Sequence, residues 1–556
     1  MTTINGGEAV YRVLKANSID TVFGLLGGSM LELYDAMYQG GEIAYVGARD
    51  ERAAGHMADA WARMTGKPGV VLGAQAGPGV VNIVTAVAEA QLAYSPLVVI
   101  AGAITRADQA KDTFQEVDQV ALFAPISKRS VMVTDPARLA PMVEDAIRLA
   151  NSGRRGPVVL HVPRDLFSAE GPAIEPKPLK LARPGPAAPE DIAAIADLLS
   201  AAKRPVIFAG GGFKWGAGRA ALTTLAEKHE VPVVASTGHA DVMRHRHPWF
   251  AGQAGPRGNT VASRLTKEAD VMVVLGARLG FNSTFHSNDY VGADTRIAHI
   301  DVEGSAVGRY FPAEIAAQGD ARLSAEALCD AATKPDCDAW REGFKADMES
   351  LWAERAKEAT LATLPMHPRR ALAEIRDVLP EDAIVTLDTG NTCLQAADRL
   401  AHYAPMSLIT PLDFGLVGFG LAAAIGAKAA APDRPVVAVM GDGAIGYTMI
   451  EIQTAIAHDL PITIVVLDNE AWGAEKAYQE EFYGGRLLGA EIRSPRFDTF
   501  AELCGGEGIW VEGDGEVGPA LKHAIASNNT TVIQAKIDPK ALMTLRKDLF
   551  KTASKD

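Results

Sequence analysis

Cysteine is scarce. Four residues, Cys329, Cys337, Cys393 and Cys504, occur in a chain of 556, with neither CxxC spacing nor the density of a disulfide-stapled domain. Reduced thiols, and with them the cytoplasm, are the expectation. Basic residues are outnumbered, and a formal net charge of −14 removes nucleic acid from the expected partners, because its phosphates would be repelled. Long apolar runs are lacking too. None reaches the roughly 18 residues of a membrane span. The opening MTTINGGEAVYRVLKAN runs into an amphipathic helical pattern without the basic stretch and apolar run of an export signal. Neither membrane insertion nor export is expected. Aromatic residues are only 6%, against 48% hydrophobic residues and 53 glycines. That balance describes an Ala/Val/Gly-rich α/β protein rather than a fibrous or disordered one.

The length exceeds one hydrophobic core and suggests about three domains. Apolar β-branched runs ending in Gly or Asp alternate with helical patterns, as in VVLGA (71–75), PLVVIAGA (96–103), PVVLHVP (157–163), PVIFAG (205–210) and VMVVLGA (271–277). Such alternation predicts an α/β fold of parallel sheets flanked by helices. Proline-rich stretches at 175–191 and 363–368 break the pattern. Domains are placed at 1–180, 190–340 and 360–556. The stretches GVVLGAQAGPGVVNIVTAVAEAQLAYSPLVVIAGA and PVVAVMGDGAIGYTMIEIQTAIAHDLPITIVVLDN both read as strand, glycine turn, a helix of about four turns, proline, strand.

In the third segment VVAVM (436–440) leads into Gly441-Asp442-Gly443 and Ala444 at a helix start, and the strand ITIVVLD ends at Asn469-Glu470-Ala471-Trp472-Gly473. Both turns are expected at the carboxyl ends of neighbouring parallel strands, where open α/β sheets bind ligands. A diphosphate needs a hard cation, and Mg2+ takes a few oxygen ligands while keeping the oxygens of its substrate. Asp442 offers a carboxylate, Asn469 an amide oxygen and Ala471 a carbonyl. The glycines let main-chain N–H groups approach the phosphates. Alone, GDG is a common turn; with Asn after 25 intervening residues it is a specific motif.

This motif is that of thiamine diphosphate (ThDP) enzymes, and nearly the whole chain resembles their acetolactate synthase-like group. The resemblance implies a pyrimidine-binding domain, a central domain and a diphosphate-binding domain in that order. It places Glu51, in ARDERAAGHMADAWARMTG, against the pyrimidine nitrogen N1′ as a catalytic proton-sharing group. The plain alternative is an acid suited to the first turn of a helix. The resemblance also sets Asn82 beside the pyrimidine, Phe114 and Gln115 near the thiazolium, and Gly390, Asn391 and Thr392 on the diphosphate. Trp472 and Gly473 complete the cofactor loop. One departure stands in LDFGLVGFG: Val417 takes the position of a large residue, often Met, that bends the cofactor, with Leu416 beside it. Thr113-Phe114 replaces the HH pair of pyruvate decarboxylases, which disfavours that activity. In relatives the two half-sites meet across a subunit boundary, which implies a homodimer or homotetramer.

Three readings of the reaction remain open. The narrow first choice is a 2-hydroxyacyl-CoA lyase giving a ketone or aldehyde plus formyl-CoA, with a CoA thioester as substrate and ADP in the central domain near Arg154, Lys214, Arg278, Asp301 and Asp320. Each of these is as readily a surface charge or a strand-end residue. The basic segment Lys540, Arg546, Lys547, Lys551 and Lys555 suits nucleotide phosphates, or is a solvated tail. The second reading rests on DNEAWGAEKAYQEEFYGGRLLGAEI, which resembles sulfoacetaldehyde acetyltransferases. Acetolactate synthase is third. Glu491 is the candidate base for the substrate hydroxyl. A non-catalytic regulator is the alternative of another class, and the presence of Glu51, Asp442 and Asn469 together counts against it.

Overall fold

The computed structural model describes residues 3–543. Three six-stranded sheets form, with every pairing within them parallel. The first contains β1 (Thr21–Leu25), β2 (Ala44–Gly47), β3 (Gly69–Gly73), β4 (Leu97–Ala103), β5 (Arg129–Met132) and β6 (Val158–Pro163). The central sheet contains β7 (Pro205–Ala209), β8 (Val233–Ala235), β9 (Phe250–Gln253), β10 (Val271–Leu275), β11 (Arg296–Asp301) and β12 (Ile315–Gln318). The third contains β13 (Ile384–Leu387), β14 (Leu408–Ile409), β15 (Val436–Gly441), β16 (Thr463–Asp468), β17 (Glu507–Val511) and β18 (Thr531–Lys536). Strands covered on both faces have no reason to alternate polar and apolar residues. Accordingly β4 and β10 are buried at every position.

The first and third sheets share one strand order, β2-β1-β3-β4-β6-β5 and β14-β13-β15-β16-β18-β17, which is the structural counterpart of the paired sequence stretches. The central sheet instead runs β9-β8-β7-β10-β11-β12, the order of doubly wound dinucleotide-binding sheets.

The helices that carry the site are α1 (Glu51–Thr65), α2 (Pro78–Asn82), α3 (Val84–Leu92), α4 (Asn391–Ala396), α5 (Gly420–Ala430), α6 (Asp442–Gly446) and α7 (Gly473–Phe482). Neither expected four-turn helix is continuous. The first breaks around Ile83, between α2 and α3, in a β-branched run (VVNIVT) whose stiff side chains crowd a helix. The second stops at Gly446, a poor helix former, and resumes as a separate helix, Glu451–Ala457.

Among the described residues the chain divides into two compact units. One takes the residues up to Ala182 together with Asp413–Arg434 and Tyr447–Ile462; the other takes Arg183–Leu412, Pro435–Gly446 and the residues from Thr463 on. Helix α5 thus belongs to the first unit, where it packs along α1. Their approach is so close that a Cβ on Gly426 would lie 2.0 Å from the Met57 carbonyl oxygen. Beneath them Arg63 Nη2 reaches Asp59 at 2.6 Å and Glu89 at 2.9 Å, its guanidinium over the Phe419 ring. Both carboxylates are fully buried and share the arginine, which leaves Glu89 Oε2 without a hydrogen-bond partner among the described residues; burial pushes the Glu89 carboxyl up to about 8. No helix among the described residues is long and apolar enough to cross a membrane.

Candidate active site

In the first unit, Asp50 caps α1 by accepting from Arg52 N at 2.8 Å, which sets Glu51 at the first helical position. Glu51 is 6% exposed. A buried carboxylate needs hydrogen-bond partners, and Asn82 Nδ2, at the end of α2, donates to Glu51 Oε2 at 3.0 Å. Gly79 makes room for this pair: a Cβ there would lie 2.8 Å from Glu51 Oε1. Gln75 links the neighbouring turn, donating from Nε2 to Gln115 Oε1 at 2.5 Å and accepting from Gly28 N at 3.0 Å. Gln115 has a left-handed backbone, φ +70. Its carbonyl presses on Gly77, where a Cβ would come within 2.5 Å of it. The adjoining Phe114 is 83% exposed. Leu416 also belongs to this unit and is buried, with Val417 half-buried beside it.

In the second unit, β15 and β16 are neighbours, so the turns after Met440 and Asp468 open side by side. Asp442 is 2% exposed, and burial pushes its carboxyl up to about 6; the Ser494 hydroxyl opposes that rise and the Asp468 charge adds to it. Asn469 Oδ1 stands 3.2 Å from Asp442 Oδ1 and 3.0 Å from Ala471 O, whereas the reversed amide would donate to both. Three converging acceptors repel one another unless the amide is reversed or a cation lies between them. Adjacent oxygens of an octahedral Mg2+ site are about 3 Å apart, given metal–oxygen distances of about 2.1 Å. With its oxygen on this side, the Asn469 amide gives the group the spacing of a hard divalent cation site; with its nitrogen there, the same spacing serves two direct hydrogen bonds.

Around this group stand the starts of α4 and α7. Gly390, at φ +96, precedes α4. Asn391 Nδ2 is buried and has no hydrogen-bond partner among the described residues, an unmet donor facing the cost of desolvation. Thr392 is buried as well. A Cβ on Gly473 would lie 2.9 Å from both Asn391 Cβ and Asn469 Nδ2, and one on Gly443 would lie 2.6 Å from the Trp472 ring. Ala444 is buried on α6. An open donor, helix starts and glycine clearances suit a phosphate group.

Glu491 faces Ala471 across an isolated antiparallel bridge. Its side chain is 65% exposed and pairs with the buried Lys476 Nζ at 3.1 Å. Sequence reasoning missed Ser494, whose Oγ donates to Asp442 Oδ2 at 2.6 Å. No spacing rule connects the two; only the fold does.

The proposed nucleotide contacts divide between the two units. Arg278 and Asp320 follow β10 and β12, and Asp301 ends β11, at the carboxyl ends of the central sheet. Lys214, after β7, instead binds the buried Asp241 at 3.1 Å and Leu408 O at 2.8 Å. Asp320 caps the next helix by accepting from Leu323 N at 2.9 Å, and Asp301 accepts from Glu303 N at 2.9 Å. Arg154 lies in the first unit, its guanidinium 3.7 Å from the centre of the Tyr94 ring. Of the basic segment only Lys540 is described; Arg546, Lys547, Lys551 and Lys555 lie outside the described residues.

Known proteins share this chain's sequence along most of its length. Residues 4–122 match the thiamine pyrophosphate enzyme N-terminal TPP binding domain, residues 192–328 its central domain and residues 388–535 its C-terminal TPP binding domain. The chain is 35% identical over 545 residues to a sulfoacetaldehyde acetyltransferase of Alcaligenes xylosoxydans xylosoxydans, covering 93% of this chain and 90% of that protein. It is 32% identical over 554 residues to the acetolactate synthase large subunit of Parasynechococcus marenigrum, with 96% and 88% covered. The identity to the large subunit of Escherichia coli acetolactate synthase isozyme 3 is 31% over 551 residues, with 97% and 96% covered. Together with the paired turns after β15 and β16, these matches establish that the chain belongs to the thiamine pyrophosphate (thiamine diphosphate) enzymes of the acetolactate synthase-like superfamily.

Proposed function

We propose that this ThDP enzyme is a Mg2+-dependent acetyltransferase acting on sulfoacetaldehyde, releasing sulfite and forming acetyl phosphate. The observation that supports the metal part is the approach of the Asn469 side-chain amide to Asp442 Oδ1 at 3.2 Å and to Ala471 O at 3.0 Å. The substrate part rests on the identity to a sulfoacetaldehyde acetyltransferase across nearly both chains and on the WGAEK run that begins α7.

When bound, ThDP supplies a carbon nucleophile that adds to a carbonyl and accepts the electron pair of the adjoining bond. The residues of the chain do the rest. Asp442, Asn469 and Ala471 would hold the cation, and Asn391 Nδ2 with the α4 start would donate to the diphosphate. Glu51 holds a proton for N1′ of the cofactor. Asn82 occupies Oε2, which leaves Oε1, with no hydrogen bond from the described residues, to present that proton. Gln115, pinned by Gln75, orients polar atoms of the substrate near the reacting carbon.

The 2-hydroxyacyl-CoA lyase reading, first on sequence, has less support here. Its phosphate candidate Lys214 is paired with Asp241. The central strand order keeps an ADP site under test. Acetolactate synthase activity is favoured by the second group of relatives. A panel of purified holoenzyme with sulfoacetaldehyde plus phosphate, pyruvate, and a 2-hydroxyacyl-CoA separates the three. Sulfite release is the expected result, and formyl-CoA or acetolactate formation without sulfite would overturn it.

A homodimer or homotetramer is part of the same proposal. The first unit exposes Leu26, Val81, Phe114, Val117, Phe414 and Tyr447, apolar surface suited to a second copy. Light scattering that showed a monomer in active enzyme would exclude it.

A further inference from the structure

The chain from Ala490 to Ser494 lies along the ligand loop as a short antiparallel clasp. Trp472 N donates to Ala490 O at 2.8 Å and Ile492 N to Glu470 O at 2.9 Å. The clasp ends at Ser494, whose hydroxyl holds Asp442 Oδ2. The next residues, Pro495 to Phe497, are anchored from beneath by Gln534 on β18, 1% exposed. Its Nε2 donates to Pro495 O at 3.1 Å and to Asp468 Oδ2 at 2.9 Å, and its Oε1 accepts from Phe497 N at 2.7 Å. One buried amide therefore ties the residue before Asn469 to the residue after Ser494.

A carboxylate free to rotate can offer a cation one oxygen or both. Mg2+ demands near-ideal octahedral geometry and tolerates a chelating carboxylate poorly, while Ca2+ accepts it. With Oδ2 committed to Ser494, Asp442 has Oδ1 left, the atom that faces Asn469. We propose that Ser494 is a positioning residue for the metal: its hydroxyl confines Asp442 to one-oxygen ligation, and Gln534 fixes the clasp from which Ser494 reaches. The inference rests on the reading of Asp442, Asn469 and Ala471 as the ligands.

The test is Mn2+ binding by the full-length protein with ThDP present, followed by electron paramagnetic resonance of free Mn2+, for wild type, Ser494→Ala and Ser494→Thr. Ser494 is half-buried in a loop, so both variants are expected to melt with the wild type. Removing a group that orients a metal ligand typically weakens binding about 10- to 100-fold. That loss is expected for Ser494→Ala, with recovery in Ser494→Thr, which keeps the hydroxyl. Wild type that binds no Mn2+ would overturn the ligand assignment itself. Wild type that binds, with Ser494→Ala within about twofold of it, would overturn only the role of Ser494, as would a loss that Ser494→Thr does not restore.

Discussion

Asn82 Nδ2 donates to Glu51 Oε2 at 3.0 Å, joining the first turn of α1 to the last residue of α2. An amide in place of the carboxyl keeps the shape but cannot hold the shared proton. Glu51→Gln is expected to bind ThDP and to lose activity by about 10²- to 10⁴-fold, the usual worth of a positioned acid or base. Hydrogen–deuterium exchange at C2 of the bound cofactor is the measurement. A near-normal exchange rate in this variant would refute the role of Glu51.

Gly79 is where this pair is most easily disturbed. A Cβ would stand 2.8 Å from Glu51 Oε1 and 3.2 Å from Gln75 Cβ, so Gly79→Ala must displace the carboxyl. We expect at least about a tenfold loss in kcat with ThDP still bound, since misplacement of a catalytic group by about 1 Å can cost 10²-fold. Steady-state kinetics at saturating ThDP test it; unchanged kcat would mean that the carboxyl shifts without consequence.

Asp442→Ala removes the one carboxylate of the cation group. Losing an orienting group alone weakens metal binding by about 10- to 100-fold, so loss of the ligand should exceed that and take the Mg2+ dependence of ThDP binding with it. Calorimetric titration of ThDP with and without Mg2+ reads both effects. Equal affinity in variant and wild type would sink the assignment.

His56 governs an acid limb of stability in the first unit. It is fully buried against Phe419, neither ring nitrogen has a hydrogen-bond partner among the described residues, and burial, helped by Arg52 and Arg63, lowers it to about 3. The unfolded chain therefore binds more protons between about pH 6.5 and 3, so stability is complete above that window and falls as the pH is lowered through it. The slope from this residue is at most about 1.4 kcal/mol per pH unit. His56→Leu should flatten it, measured as urea midpoints at successive pH values; identical pH profiles would place the acid sensitivity elsewhere.

The sequence alone determined the parallel α/β class and the likeness of the first and third sheets, and it singled out Asp442 and Asn469 after two strands as candidates. Those follow from local rules: burial on both faces shows as unbroken Val/Ile/Leu runs such as β10, and a pair of turns at neighbouring strand ends shows as Gly, Asp and Asn after two such runs. The tertiary structure decided what depends on distant chain meeting. It assigned α5 to the unit of α1, because Gly426 admits the Met57 carbonyl. It broke both long helices, since β-branched crowding and a terminal glycine outweigh an apolar period. Asp241 claimed Lys214, and Ser494 was brought to Asp442 across 52 positions of sequence. A hydroxyl in a loop carries no periodicity or spacing that marks its partner; only the register of β16, β18 and the clasp between them makes that bond.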